Sequence, residues 1–317
     1  MKPRSISFVA PAFNERESLP ELIAELHAVG ASLGLAYEIV VVDDGSTDGS
    51  AAYLAQQAAS DAQLHPIILR RNMGKATALM SGFQRSRGEV IVTLDADLQN
   101  DPQEVPKLLE RLAKGDADIV SGWKFDRPDH LEKRIPSRVF NFFTSHFTNL
   151  QLHDFNSGIK AYTRTAAQAL DLYGELHRYI PVLAYQLGFN IVEVQTHTRE
   201  RKYGETKYKA KRYLRGFFDL LTVLFLTKYS RRPLHFFGML GASIGTLGFV
   251  AVAYLVIVKI FAGQSIGTRP LLTFGIFAIL AGLQLTVTGL LAELLVRNAG
   301  TRQLPIRDEW NAQDPLP

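Results

Sequence analysis

The sequence predicts an α/β protein with a doubly wound, mostly parallel sheet, followed by interfacial helices and a C-terminal hairpin of two transmembrane helices. Over the first 200 residues, short apolar segments alternate with segments of helical pattern, which is typical of βαβ units. Farther along, Pro233 to Val258 and Pro270 to Ala292 contain no Asp, Glu, Lys or Arg over 26 and 23 residues. Because a helix needs about 20 apolar residues to cross a bilayer, both segments qualify.

Five strands and four helices are predicted in the N-terminal part. The strands are ISFVAPAF, YEIVVVDD, PIILR, EVIVTLDAD and ADIVSGW, and the helices are Ser18–Leu33, Asp48–Ala59, about Lys75–Ser86 and Pro102–Lys114. The first helix opens with SLPE, a capping pattern. The strands are apolar without alternation, as expected of strands that are covered on both faces.

Charge and composition predict where the chain resides. The 317 residues carry a net charge of +4 and contain no cysteine, which excludes disulfides and thiolate metal sites. The N-terminal segment lacks the long apolar stretch of a signal peptide. Basic residues flank the hairpin on its outer sides, at Lys228, Arg231, Arg232, Arg297 and Arg302. The positive-inside rule then places both ends of the hairpin in the cytoplasm, so we expect a multi-pass protein of the inner (plasma) membrane with a cytoplasmic head.

Two further segments mix basic and apolar residues. LEKRIPSRVFNFFTSHFTNL, residues 131–150, and the segment that begins YKAKRYLRGFFDLL, residues 208–232, have the composition of helices that lie in a membrane interface. The alternative is ordinary packing between head and hairpin. A basic run could also attract nucleic acid, but its place beside a membrane hairpin argues against that partner.

Carboxylates end two of the predicted strands, in VVDDGSTDGS (residues 41–50) and TLDADLQNDP (residues 93–102). Ligands of doubly wound sheets bind beyond the carboxyl ends of the strands, where Asp43, Asp44, Asp95 and Asp97 fall. The glycine signatures of dinucleotide-binding and Walker phosphate loops are missing. Two carboxylates in a D-x-D spacing can instead hold Mg²⁺ or Mn²⁺, which keeps its other positions for phosphates and water. The alternative is a solvated turn that caps the next helix.

These blocks taken together resemble glycosyltransferase family 2. The resemblance rests on PAFNE (Pro11 to Glu15), VVDDGSTDGS, RNMGKATALMSGF (Arg71 to Phe83) and LDADLQNDP, across roughly residues 5 to 125. DFNSGIKAY (Asp154 to Tyr162), ERKYGETKY (Glu200 to Tyr208) and the hairpin extend it to the polyprenyl-phosphate glycosyltransferases, the group of the dolichyl-phosphate mannose synthases. It implies a GT-A-like catalytic domain over residues 1–207, an interfacial amphipathic helix over 208–232, a transmembrane hairpin over 233–297 (helices about 233–259 and 270–296) and a polar cytoplasmic tail over 298–317.

The resemblance also implies roles for individual residues. The nucleotide-sugar site would comprise Pro11, Asn14, Glu15, Asp43, Asp44, Arg71, Gly74, Lys75, Asp95, Ala96, Asp97 and Gln99, with Asp95 and Asp97 at the metal. The acceptor phosphate would meet Arg134, Ser137, Arg201 and Lys207. Asp154 matches the position of a catalytic base and is grouped with Asp97 as catalytic. It could instead orient the acceptor or a sugar hydroxyl, or be a buried structural carboxylate, because a lipid phosphate is already anionic.

The activity implied is the transfer of one sugar, with inversion, from a nucleotide diphosphate sugar to polyprenyl (undecaprenyl) phosphate at the cytoplasmic membrane face. UDP-glucose is the first choice of donor, followed by GDP-mannose, UDP-N-acetylglucosamine and a modified pentose. Relatives of this group suggest a homo-oligomer, such as a tetramer. Two alternatives are a processive polysaccharide synthase, whose Q-x-x-R-W block is missing here, and a membrane-anchored protein that binds nucleotide sugars or lipids without turnover.

Overall fold

The computed structural model describes residues 3–124, 144–145, 150–199, 229 and 232–298. The chain divides near residue 223 into two compact units, of which the first contains the sheet and the second the hairpin. The predicted interfacial helices over 131–150 and 208–232 and the tail over 298–317 lie almost entirely outside the described residues.

The described part of the first unit contains a seven-stranded sheet with the order β3-β2-β1-β4-β6-β5-β7. Neighbouring strands are parallel from β3 through β4 and between β5 and β7, whereas β6 is antiparallel to both of its neighbours. The strands are β1 (Ser5–Ala12), β2 (Ala36–Asp43), β3 (Ile67–Ile68), β4 (Val90–Thr93), β5 (Ile119–Lys124), β6 (Lys160–Thr163) and β7 (Ile191–Thr196). The prediction of a mostly parallel α/β sheet is confirmed.

Helices connect the strands as predicted. The helices of this unit are α1 (Leu19–Leu33), α2 (Ser50–Ala58), α3 (Lys75–Arg85), α4 (Val105–Leu112), α5 (Arg164–Ala169) and α6 (Ile180–Gln186), with 3-10 turns at Pro102–Glu104 and Leu176–Tyr179. The capping prediction for SLPE is wrong in one respect. The Ser18 hydroxyl donates to the backbone carbonyl of Glu15 at 3.0 Å and makes no side-chain cap of α1.

Apolar side chains of the central strands form the core against the helices. Phe8 is fully buried and pairs with Ile39 on β2 and Val92 on β4. In the same register Ala12 lies opposite Asp43, and the Leu94 amide donates to the Val9 carbonyl at 3.1 Å. The carboxyl ends of β1, β2 and β4 therefore lie side by side, which brings the residues that follow each strand to one edge of the sheet.

The second unit is a hairpin of α7 (Pro233–Ala262) and α8 (Pro270–Asn298), which confirms the predicted two-helix hairpin. Both helices are long and apolar enough to cross a membrane. Only 11% and 22% of the residues in their most apolar windows are buried, unlike the core helices of soluble proteins. Close contact depends on glycines, since a Cβ at Gly241 would lie 2.5 Å from the Gly282 carbonyl oxygen. Glu293 accepts a hydrogen bond from the Leu234 amide at 3.2 Å, which satisfies one free donor at the start of α7.

Candidate active site

The two carboxylates at the end of β2 have different environments. Asp43 is fully buried, and its Oδ1 accepts hydrogen bonds from the Ser46 hydroxyl and from the Ser46 amide at 3.3 Å. Asp43 Oδ2 is buried and has no hydrogen-bond partner among the described residues. Asp44 accepts from the amides of Met73 at 2.7 Å and Gly74 at 2.9 Å. Asp44 thus holds the loop before α3, whereas one buried oxygen of Asp43 is left unused by the described residues.

The turn that follows these carboxylates is shaped by Gly45. Its φ of +70° lies in the left-handed region, and an added Cβ would lie 2.4 Å from the backbone carbon of Arg71. Only glycine allows this approach without strain. The contact brings the loops after β2 and β3 together, with the exposed Arg71 side chain at the same edge as Asp43.

The segment after β1 completes this side of the site. Pro11 lies opposite Val42, and Asn14 has a φ of 55°. The Asn14 amide donates to Ser46 Oγ at 2.8 Å, and its side-chain oxygen accepts from the Thr47 amide at 2.9 Å. Glu15 accepts from the Ser18 hydroxyl at 3.2 Å. Asn14 therefore ties this segment to the turn after β2.

The D-x-D segment follows β4. Asp95 forms an ion pair with Lys75, the first residue of α3, and its amide donates to the side-chain oxygen of Asn100 at 3.3 Å. Asp97 Oδ1 accepts from the Gln99 amide at 3.2 Å. Ala96 is buried, and Leu98 has a φ of 60°. A positive φ costs an apolar side chain roughly 1–2 kcal/mol. Such strain is common at functional sites.

Asp154 lies in the loop before β6, and this loop packs against the D-x-D segment. A Cβ on Gly158 would lie 2.5 Å from both Asp95 Oδ2 and Asn100 Oδ1, so only glycine lets this backbone pass. Asp154 is 3% exposed, and its Oδ1 accepts from the Asn156 amide at 3.2 Å. The structure therefore brings Asp154 into the loop that contacts Asp95, but as a buried and hydrogen-bonded carboxylate.

The donor set of this edge suits a hard divalent cation. Carboxylate oxygens of Asp95 and Asp97 are the ligands that Mg²⁺ and Mn²⁺ prefer, and Asn100 adds a further oxygen near Asp95. Across the described residues, no group of three or more His, Cys, Asp or Glu side chains is arranged to hold a metal. The two carboxylates are therefore suited to a metal ion whose remaining positions are filled by substrate oxygens. Lys75 forms an ion pair with Asp95 and partly neutralises its charge.

Sequence reasoning missed His177, which lies in the 3-10 turn at Leu176–Tyr179 that contacts α3. Burial, then the positive charges of Lys75 and Arg178, lower the pKa of His177 to about 3, although the charge of Asp95 acts in the opposite direction. The imidazole is therefore neutral, and its Nδ1 is buried without a partner among the described residues. A lone histidine carries no motif, so only the fold shows that it lies near the Lys75–Asp95 pair.

The acceptor side is described only in part. Arg134, Ser137, Arg201 and Lys207 lie outside the described residues. Arg199, which belongs to the same basic run, binds Glu25 at 2.6 Å and Asp101 at 2.7 Å. Its amide donates to the Gln99 carbonyl at 3.0 Å. Arg199 therefore holds the end of the segment after β7 beside the D-x-D loop.

The sheet with carboxylates at its edge defines a domain of the GT-A-like class. The chain belongs to glycosyl transferase family 2, whose family model matches residues 7–171. It is 36% identical over 296 residues to a dodecaprenyl-phosphate galacturonate synthase of Rhizobium johnstonii, covering 92% of this chain and 88% of that protein. It is 38% identical over 302 residues to an undecaprenyl-phosphate 4-deoxy-4-formamido-L-arabinose transferase of Pseudomonas paraeruginosa, covering 94% and 87%.

Solved structures share the fold. Glucosyl-3-phosphoglycerate synthase of Mycobacterium tuberculosis, in complex with Mn²⁺, uridine diphosphate and glucosyl-3-phosphoglycerate, superposes with a TM-score of 0.54 at 19% identity. The match covers 71% of this chain and 80% of that one. Mannosyl-3-phosphoglycerate synthase of Rubrobacter xylanophilus gives a TM-score of 0.53 at 17% identity, covering 69% and 72%. These likenesses confirm the GT-A-like fold.

Proposed function

We propose that this protein transfers one sugar from a nucleotide diphosphate sugar to polyprenyl phosphate at the cytoplasmic face of the plasma membrane. The single observation that carries the proposal is that Asp43 and the Lys75–Asp95 ion pair lie at one sheet edge, with Asp97 two residues after Asp95. Two relatives that match over most of this chain are named as polyprenyl-phosphate sugar transferases, which supports the same acceptor. The apolar hairpin supports a membrane location.

The nucleoside is assigned to the β2 side of the edge. Asp43 Oδ2 is a buried acceptor without a partner among the described residues, and a base N–H or ribose hydroxyl can supply the missing donor. Asp44 contributes indirectly, because its bonds to the amides of Met73 and Gly74 fix the loop that leads to Lys75. The ammonium group of Lys75 would then lie beside the diphosphate.

The diphosphate is assigned to the β4 side. Asp95 and Asp97 would hold Mg²⁺ or Mn²⁺, which neutralises the diphosphate and stabilises it as a leaving group when it is bound. Leu98, with its positive φ, turns the chain after Asp97, and Gly158 lets the backbone of the loop before β6 pass directly beside Asp95. Held in this way, Asp95 and Asp97 would keep the diphosphate, and with it the anomeric carbon, in one orientation.

The reaction we propose is a direct displacement. An oxygen of the polyprenyl phosphate forms a bond to the anomeric carbon, while the bond from that carbon to the diphosphate oxygen breaks. The nucleoside diphosphate leaves with the electron pair, so the configuration at the carbon inverts. The acceptor oxygen is already ionised near neutral pH, so little proton removal is needed. Asp154, which is buried and accepts from the Asn156 amide, is assigned to holding the loop beside Asp95.

The sugar is the open choice within this proposal. UDP-glucose is the first donor to test, and the names of the two relatives add galacturonate and 4-deoxy-4-formamido-L-arabinose as sugars, which are supplied as their UDP derivatives. The full chain in detergent is given undecaprenyl phosphate, a divalent metal and one donor at a time, with GDP-mannose and UDP-N-acetylglucosamine as further arms. Nucleotide release and glycolipid formation are followed together.

The matched variants are Asp97→Asn and Asp116→Asn. Asp116 is exposed and pairs with Arg111, away from the edge, so its variant should keep activity. We expect one donor to give a single-sugar glycolipid that depends on lipid phosphate and is lost in Asp97→Asn. A polymer would support a processive synthase instead. Nucleotide binding without turnover, for every donor, would support the non-catalytic alternative.

A further inference from the structure

Glu193 on β7 holds the backbone of the loop that contains Asp154. Its Oε1 accepts from the Asp154 amide at 2.9 Å. Its Oε2 accepts from the His153 amide at 2.7 Å and lies 3.0 Å from His153 Nδ1. The Glu193 side chain is 10% exposed. One nearly buried carboxylate thus binds two consecutive residues that are about forty positions earlier in the chain.

The His153 ring is held on a second side by Trp123. The two rings stack with centroids 4.0 Å apart and planes 19° apart. In the parallel pair of β5 and β7, Ser121 lies opposite Glu193 and Trp123 opposite Gln195. Because alternate residues of a strand share a face, Glu193 and Trp123 present their side chains on the same face of the sheet. Both strands therefore support His153.

The other end of this loop touches the D-x-D segment. The Gly158 backbone passes beside Asp95 so closely that a Cβ would lie 2.5 Å from the carboxylate. The Thr93 hydroxyl donates to the Gly158 carbonyl at 3.3 Å. Residues 153–158 thus run from Glu193 at one end to Asp95 at the other, and a shift at the first end is passed along a short segment.

We propose that Glu193 is a positioning residue of the transfer reaction, which fixes residues 153–158 and thereby the environment of Asp95. The inference rests on the function proposed above. Carboxylate acceptors make stronger hydrogen bonds to amides than neutral groups do. A glutamine at this position keeps the size of the side chain, but its NH₂ group cannot accept from a backbone N–H. Glu193→Gln therefore removes one of the two oxygens that accept from the amides of His153 and Asp154, without leaving a cavity.

The test uses the full chain in detergent, with the donor that the wild type accepts and undecaprenyl phosphate. We expect Glu193→Gln to lower kcat by about tenfold, the lower end of what outer-shell partners contribute at metal sites. KM for both substrates should change by less than about threefold, because the residue touches neither. His153→Phe keeps an aromatic ring against Trp123 and loses the ring bond to Glu193 but keeps both backbone bonds, so it should have a smaller effect on kcat. Gln195→Ala, on the same strand and exposed, is the matched control.

A second readout does not depend on activity. Amide hydrogen exchange of the peptide over residues 153–158 should be faster in Glu193→Gln and unchanged in Gln195→Ala, measured by mass spectrometry. A wild-type kcat in Glu193→Gln, a loss confined to KM, or an equal loss in Gln195→Ala would each overturn the inference. If the wild type makes no glycolipid from any donor, the proposed function fails. In that case, slower or equal exchange in Glu193→Gln would show that Glu193 does not hold residues 153–158 in place.

Discussion

From the lowered pKa of His177 we predict that part of the stability of the α/β unit is lost on mild acidification. Its pKa falls from an ordinary value of 6.5 to about 3 in the folded unit, chiefly because the ring is buried. As the pH falls below 6.5, the unfolded chain takes up a proton that the folded unit cannot bind. Acid therefore favours unfolding, and the stabilisation that is present above pH 6.5 is lost progressively as the pH falls toward 3.

The size of the effect follows from the shift. At pH 5 the ring is 1.5 pH units below its unfolded pKa, which at about 1.4 kcal/mol per unit gives roughly 2 kcal/mol. Water that reaches part of the ring reduces this to about 1–2 kcal/mol. For a unit of this size, 1 kcal/mol shifts the unfolding temperature by about 2–4 °C. His177 should therefore account for a shift of about 2–8 °C between pH 7 and pH 5.

The assay is thermal unfolding of the full chain in detergent, followed by the fluorescence of its two tryptophans, Trp123 in β5 and Trp310. Wild type and His177→Asn are compared at pH 7 and pH 5. Asparagine stays neutral at both values, so the difference between the two pH shifts isolates the ring from all other groups. Wild type should lose about 2–8 °C more than the variant. Equal losses in both proteins would refute the neutral, buried imidazole.

Two further predictions concern close backbone contacts. Gly158→Ala places a methyl group against Asp95, so it should destabilise the unit by about 1–3 kcal/mol through overpacking and lower activity by displacing Asp95. Gly267→Ala, which has open space, should stay active. Full activity of Gly158→Ala in the transfer assay would contradict the contact. Gly241→Ala should destabilise the hairpin by about 1–3 kcal/mol in thermal or denaturant unfolding. Gly238→Ala on the same helix, with its nearest atom at 3.5 Å, should not, and equal stability of both variants would argue against the close helix contact.

The sequence predicted those parts of the fold that local pattern determines. The strands β1, β2, β4 and β5 and the helices between them follow from apolar runs and helical periodicity. The strands β6 and β7 were not predicted, and the antiparallel direction of β6 depends on its neighbours β4 and β5 rather than on its own residues. The PIILR segment is apolar, but only Ile67 and Ile68 pair with β2.

The same distinction applies to the site. The position of Asp43, Asp44, Asp95 and Asp97 at the carboxyl ends of neighbouring strands could be predicted, because carboxylates that follow apolar strands are visible in the sequence. Their separate tasks could not, since Asp44 binds amides about thirty residues later. Glu193 and His177 carry no local signal and become relevant only through contacts that tertiary structure creates. Glu193 and His177 differ from other buried polar side chains in the residues that they contact, and not in their residue type.

The buried state of Asp154 bears on how the acceptor is activated. A general base must reach the proton that it removes, whereas this carboxylate is 3% exposed and accepts from the amide of Asn156. A phosphate monoester has already lost its first proton near neutral pH. The attacking oxygen therefore needs balancing positive charge and correct orientation more than it needs a base. Glu193 binds the backbone at Asp154, and Gly158 lies against Asp95. In the proposed reaction, the loop from Asp154 to Gly158 would therefore align the reacting groups rather than remove a proton.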